Sequence, residues 1–203
     1  FGADIKGDLK AFTDVKATDW YYGSMAKAYQ MEVIEGSNCK LSPNSPITRQ
    51  EVFAIIARAF KLQPSITINK NFSDIDDISD WARDEVFAIA NGGYIQGAGG
   101  KLNPKGLITR AEFAQLFDNM IKQYIQREEI ITRVADGNII VNSPGVTLKD
   151  LTVNGDLIIG DGVGEGEFTL DNVDVKGRLV VRGGGTDSII IRGNSNVSNI
   201  IIS

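Results

Sequence analysis

Two apolar periodicities divide the chain. In the N-terminal part, apolar residues recur every three or four positions: Tyr22, Met25, Ala26, Tyr29 and Val33, then Val52, Ile55, Ile56 and Ala59. The same spacing returns at Val86, Ile89 and Ala90 and at Phe113, Leu116, Phe117 and Met120. Each set is one face of a helix, so the pattern predicts two pairs of helices. From about residue 138 the period becomes two. Val146, Leu148, Leu151, Val153, Leu157 and Ile159 alternate with polar residues and are broken by glycines, which predicts short strands. A second cycle follows 22 residues later, with Leu170, Val173, Val175, Gly177, Leu179 and Val181 matching Leu148, Leu151, Val153, Gly155, Leu157 and Ile159. A third, carried by Ile189-Ile190-Ile191 and Ile200-Ile201-Ile202, slips by about a residue. Such cycles predict coils of a parallel β-solenoid.

The helical part is itself a repeat. Ile47-Thr48-Arg49-Gln50-Glu51 returns as Ile108-Thr109-Arg110-Ala111-Glu112, an offset of 61 residues shared by Trp20 and Trp81, Gly36 and Gly97, and Pro43 and Pro104. Each copy reads as a short Phe-x-Asp segment (12–14 and 72–74), a helix, a Gly, Asn and Pro-rich turn (36–46 and 97–107) and a second helix. The expected organisation is therefore a repeat at 12–66, a repeat at 67–127 and a solenoid segment at 128–203. Residues 1–11 are a linker or the tail of a preceding repeat, because Phe1-Gly2-Ala3 reads as the end of such a repeat's last helix. That beginning, and a last coil without a capping element, predict a fragment of a longer chain.

Composition narrows the chemistry. The 203 residues are 42% hydrophobic, yet no apolar run approaches the ~20 residues of a membrane-spanning helix. The formal charge of −5 arises in 128–203, with 6 basic against 11 acidic residues, while 1–127 balances 15 against 15. A nucleic-acid partner is disfavoured because the basic footprint is missing. With no histidine there is no serine-histidine or cysteine-histidine dyad and no histidine-ligated metal. Cys39, the only cysteine, reads as a small turn residue. No cofactor is expected.

Thr48-x-x-Glu51 and Thr109-x-x-Glu112 have the form of capping boxes, which accounts for the threonine and the glutamate. It leaves Arg49 and Arg110 unexplained, since a cation in the first helical turn faces the positive end of the helix dipole. An arginine beside free helix N–H groups is a natural anion site, the other reading being an ordinary surface arginine that packs its stem on a neighbour. Trp20 and Trp81 follow Asp19 and Asp80, which reads either as an N-cap with a core aromatic or as a stacking platform for a sugar ring. The acidic cluster Asp74, Asp76, Asp77 and Asp80 lacks the glycine and terminal glutamate of an EF-hand loop, and reads as a solvated, capping loop. Gly97-Ala98-Gly99-Gly100-Lys101 fails the phosphate-loop spacing, and Gly160-Asp161-Gly162-Val163-Gly164 is followed by no helix pattern.

Taken together, residues 12–124 resemble the S-layer homology domain. The first copy carries Phe12-Thr13-Asp14-Val15, Trp20, Gly36, Leu41-Ser42-Pro43 and Ile47-Thr48-Arg49-Gln50-Glu51. The second carries Phe72-Ser73-Asp74-Ile75, Trp81, Gly93-Tyr94-Ile95-Gln96-Gly97, Leu102-Asn103-Pro104 and Ile108-Thr109-Arg110-Ala111-Glu112. The first departs at Gly36-Ser37-Asn38-Cys39-Lys40, where a second glycine is usual, and at Gln50, where alanine is common. The resemblance implies a non-enzymatic module of a secreted protein at the cell wall or surface layer. Typically, three such repeats pack with pseudo-threefold symmetry and bind secondary cell-wall polysaccharide between them. By position, Arg49 and Arg110 would grip acidic, often pyruvylated, sugar groups, and Trp20, Trp81, Gly36 and Gly97 would line the grooves. The overall class is α+β multidomain, helical repeats followed by a parallel β-helix. Two alternatives stand beside anchoring: a carbohydrate-active enzyme, lyase or hydrolase, that uses the solenoid, and a structural protein whose repeats self-assemble in a surface layer.

Overall fold

Four helices form where the 3.6-residue pattern lies: α1 (Tyr22–Gln30), α2 (Arg49–Ala59), α3 (Arg83–Asn91) and α4 (Arg110–Met120). The structure, a computed structural model, describes residues 7–202; the Phe1-Gly2-Ala3 segment lies outside them. Corresponding helices start and stop 61 residues apart, so the sequence offset is also the structural one. The chain divides within α4 into two compact units, one ending at Leu116 and the other running from Phe117.

The turns explain the conserved spacing of the two copies. Phe12 packs against Gly36 and Phe72 against Gly97, each glycine at positive φ and so close to a loop carbonyl, of Lys40 or Lys101, that a Cβ would collide with it. Two residues after each phenylalanine, an aspartate accepts two backbone N–H groups: Asp14 from Leu41 and Ser42, Asp74 from Leu102 and Asn103. The Phe-x-Asp segments therefore fix the loops that follow α1 and α3. This is also where the acidic cluster's leading carboxylate is used.

The first helix is shorter than its apolar pattern. α1 ends at Gln30 because Glu32 is left-handed (φ 57), and Val33, buried just beyond, donates its N–H back to the Ala28 carbonyl. α3 ends identically, with Gly93 (φ 80) in the position of Glu32 and Tyr94 donating to Ile89. This is the glycine-type helix stop, filled in the first copy by a residue that carries a Cβ. Asp19 does not cap α1 as expected: Tyr21 stands at the cap, and Asp19 instead accepts the Lys16 N–H.

The helices α2 and α4 differ in burial despite their shared pattern. α2 buries Gln50, Val52, Phe53, Ala54, Ile56, Ala57 and Ala59, nearly its whole circumference, and packs on α3. Of α4, Leu116 and Met120 are buried while Phe113 and Phe117 are exposed.

The second unit is a parallel β-solenoid of about three turns. One sheet runs β1 (Gln123–Ile125), β3 (Ile139–Val141), β5 (Leu157–Ile159), β7 (Leu179–Val181), β10 (Ile200–Ile202). The other runs β2 (Ile130–Ile131), β4 (Val146–Val153), β6 (Phe168–Val175), β8 (Ile189–Arg192), with β9 (Asn196–Val197) also on β6. All pairings are parallel. The register matches Leu148 with Leu170, Leu151 with Val173 and Leu157 with Leu179, the predicted 22-residue step. The slip is real too: Phe168 pairs with Ile189 and Leu179 with Ile200, 21 residues on. Inward residues such as Ile139, Leu148, Leu157, Phe168, Leu170 and Leu179 form one aliphatic core. The long strands β4 and β6 bend at Asp150 (φ 52) and Asn172 (φ 56), and Asn172 donates its amide to the Asp150 carboxylate at 2.9 Å, so successive corners hold one another.

Replacing Glu32 by glycine should remove the left-handed penalty at the end of α1. The expected gain is about 1 kcal/mol, a rise of roughly 2–4 °C in Tm by calorimetry, with the structure otherwise unchanged.

Candidate functional site

Both predicted capping boxes form. Thr48 Oγ1 accepts the Glu51 N–H at 3.4 Å, and Glu51 Oε2 accepts the Thr48 N–H at 2.6 Å. In the second copy the distances are 3.2 Å and 2.9 Å. A capping box leaves the first two N–H groups of the helix open. In α2 they are filled by the second repeat: Arg49 N–H donates to the Gly106 carbonyl at 2.8 Å and Gln50 N–H to the Pro104 carbonyl at 2.9 Å.

The side chains of the same turn follow. Arg49 Nε donates to the Leu102 carbonyl at 2.7 Å, Nη1 to Glu112 Oε1 at 2.6 Å, and the guanidinium lies over the Phe53 ring at 5.3 Å from its centre. Its side chain is 12% exposed. Gln50, buried at 6%, donates to Ser79 Oγ and accepts the Ser79 N–H, each at 3.0 Å. The cation placed against its own helix dipole is thus balanced from across the repeat junction. Arg110, its equivalent on α4, is exposed, and its side chain makes no hydrogen bond or ion pair among the described residues.

The tryptophans are not core residues. Trp20 is 93% exposed and touches Tyr21 edge-on at 5.4 Å; Trp81 is 49% exposed. Trp81 lines a groove of about 630 Å³ together with Gly36, Pro43, Ile47, Ile55 and Arg58, so the groove joins the loop of the first repeat to the tryptophan of the second. Arg110 borders a second groove with Ile47, Val52, Ile55, Ile108 and Phe113. Ile47 and Ile55 wall both. Trp20 and Gly97 line neither groove, and Arg49 sits in the junction rather than in a groove.

Repeat-based reading overlooks residues present in one copy alone. Arg58 near the end of α2 is bracketed by Glu85 (2.8 Å) and Glu35 (3.1 Å), and stands where the second copy has Asn119. Gln50 is Ala111 in the second copy. Arg58 is the one charged residue of α2 after Glu51, and that was the signal that could have found it.

Two carboxylates of the second repeat, Glu112 at the junction and Asp74, which fixes the loop after α3, are held below their ordinary pKa. Glu112 lies below its ordinary pKa, first through the Thr109 N–H and hydroxyl, which outweigh burial, and then through Arg49. At Asp74 burial raises the pKa, but the Leu102 and Asn103 N–H donors outweigh it and leave the group lowered.

Residues 11–53 and 71–114 match the S-layer homology domain. The chain is 36% identical over 117 residues to an exoglucanase, XynX, of Acetivibrio thermocellus and 37% identical over 117 residues to an amylopullulanase of Thermoanaerobacterium thermosulfurigenes. It is 37% identical over 125 residues to a surface-layer 125 kDa protein of Lysinibacillus sphaericus. These alignments cover 55%, 55% and 59% of this chain but 11%, 6% and 10% of the relatives, so the chain spans about a tenth or less of their lengths.

Arg49→Ala should loosen the junction, lowering stability by about 2–3 kcal/mol in denaturant unfolding, whereas Arg110→Ala should change it by less than about 0.5 kcal/mol. Because Asp74 and Glu112 are lowered in the folded state, their contribution is present above the ordinary carboxylate pKa of ~4 and is lost as pH falls through the lower folded values. A series of unfolding midpoints from neutral to acid pH should show this decline, and Asp74→Asn should flatten it.

Proposed function

We propose that the two S-layer homology repeats of this chain hold a secreted bacterial protein on the cell wall by binding an acidic, often pyruvylated, secondary wall polysaccharide. S-layer homology domains are the anchoring modules of S-layer proteins and surface enzymes, and they place the chain at the cell surface. The matched region is common to relatives named as two glycan-degrading enzymes and a surface-layer protein. A segment shared by proteins of such different names supports attachment rather than catalysis as its role here.

The contrast between two equivalent arginines carries the finer reading. Arg49 and the N-terminus of α2 are saturated by Gly106, Pro104, Leu102 and Glu112, so Arg49 serves the ligand by setting the junction. Arg110 and the N-terminus of α4 are the copy left for a carboxylate, and a ketal carboxylate is a small anion suited to a guanidinium beside helix N–H groups. Trp81 supplies the aromatic face, and Gly36 lines the same groove. Gly97 shapes the loop preceding α4, and Trp20 offers a second exposed face. A second reading, self-assembly of the repeats, draws on the apolar wall beside Arg110, formed by Ile47, Val52, Ile55 and Phe113.

Co-sedimentation with purified wall polysaccharide tests this. Trp81→Ala combined with Arg110→Ala should reduce binding at least about tenfold, and added salt should weaken the wild type more than the Arg110→Ala protein. Undiminished binding by the double variant rejects the site. Oligomers that grow with concentration, in a protein that sediments with no polysaccharide, favour self-assembly instead.

A further inference from the structure

The groove at Trp81 carries charged groups that the acidic-ligand reading does not use. Its lining includes Glu35, Lys40, Glu51 and Arg58. Glu51 is committed to Thr48, whose N–H and hydroxyl it accepts at 2.6 Å each. Arg58 is 17% exposed and already bracketed by two carboxylates, Glu85 on α3 and Glu35 in the loop. An anion brought to this guanidinium would meet both carboxylates, and like charges at close range are unfavourable. Lys40, the remaining cation, is exposed and screened by solvent. The groove beside Trp81 is therefore poorly made for the acid group of a sugar.

It is well made for a neutral one. A guanidinium has five N–H donors, and the contacts of Arg58 to Glu85 and Glu35 engage Nε and Nη1. Glu35, 63% exposed at its side chain, has acceptor capacity facing solvent. An adjacent donor and acceptor match a pair of neighbouring sugar hydroxyls, each of which donates and accepts. The half-exposed indole of Trp81 and the aliphatic wall of Pro43, Pro46, Ile47 and Ile55 supply the apolar face that the C–H side of a pyranose covers.

Building on the glycan reading above, we propose that the Trp81 groove binds a neutral pyranose through Trp81, Glu35 and Arg58, while the acid group of a neighbouring sugar goes to Arg110. Ile47 and Ile55 wall both grooves, so a single oligosaccharide reaches from one to the other. The ligand is then an alternating or branched glycan with a neutral residue beside an acidic one. Glu35 and Arg58 become specificity residues.

The test uses the whole chain and wall polysaccharide purified from Lysinibacillus sphaericus, native and after reduction of its carboxyl groups to alcohols, by calorimetric titration. Wild type should lose about tenfold in affinity on reduction yet still bind. Glu35→Gln, folded as judged by unchanged thermal unfolding, should weaken binding of both forms by a similar factor of about 5–10, since it alters the neutral subsite alone. Complete loss of wild-type binding on reduction overturns the proposal, as does a Glu35→Gln protein that binds the native form as tightly as wild type or more tightly. Wild type that binds neither form refutes the glycan reading itself, a different failure.

Discussion

Everything in the helical part depends on how the start of α2 is closed. A helix begins with four N–H groups that its own turns cannot satisfy, and a capping box answers for part of them. Here the remainder is met by carbonyls from the other repeat's turn, at Gly106 and Pro104, while the Arg49 side chain reaches the Leu102 carbonyl and Glu112. The backbone pairing of Thr48 with Leu107 completes the joint. One short segment of the first repeat is thereby fixed against one short segment of the second. The Trp81 groove exists because of that: a loop from one copy and an aromatic from the other stay in place as its two walls.

The same constraint separates two motifs that read alike. Arg49 and Arg110 stand in the same Ile-Thr-Arg-x-Glu motif with the same capping box, and differ in what the rest of the chain brings to them. A guanidinium with a carbonyl, a carboxylate and an aromatic face already in contact has little left to offer an anion. An exposed one at an open helix start keeps its donors. What an equivalent residue has left to offer in a repeat protein follows its position in the array as much as its motif: one arginine is saturated at the junction and the other stands open to solvent.

Much of the fold was legible because it rests on periodicity. Helix faces, the 61-residue offset, the 22-residue strand register and even its slip at the last coil follow from patterns a sequence displays directly. The site was legible only in part. That Trp81 shares a groove with Gly36 rather than Gly97 depends on which copy packs on which, and no local pattern encodes that. Gln50, noted as a departure from the usual alanine, proves to be a clamp on Ser79. Glu35 and Arg58 have Gln96 and Asn119 at the corresponding positions of the second copy, so the repeat pattern does not mark them.

The two loops show what the junction demands of the backbone. Asn38, Cys39 and Ser42 hold φ near +50°, where the second copy has Gly99, Gly100 and Asn103 at nearly the same values. Left-handed conformation costs a residue with a Cβ roughly 1–2 kcal/mol. The first loop accepts that cost and keeps the shape, because Phe12 packs beneath it, Asp14 holds the Leu41 and Ser42 N–H groups, and the Cys39 carbonyl accepts the Thr13 N–H. Geometry, rather than residue type, is what the two copies have in common. A loop free to relax would not carry three such residues in five positions, so the staples at Phe12 and Asp14 must outweigh the strain they enforce.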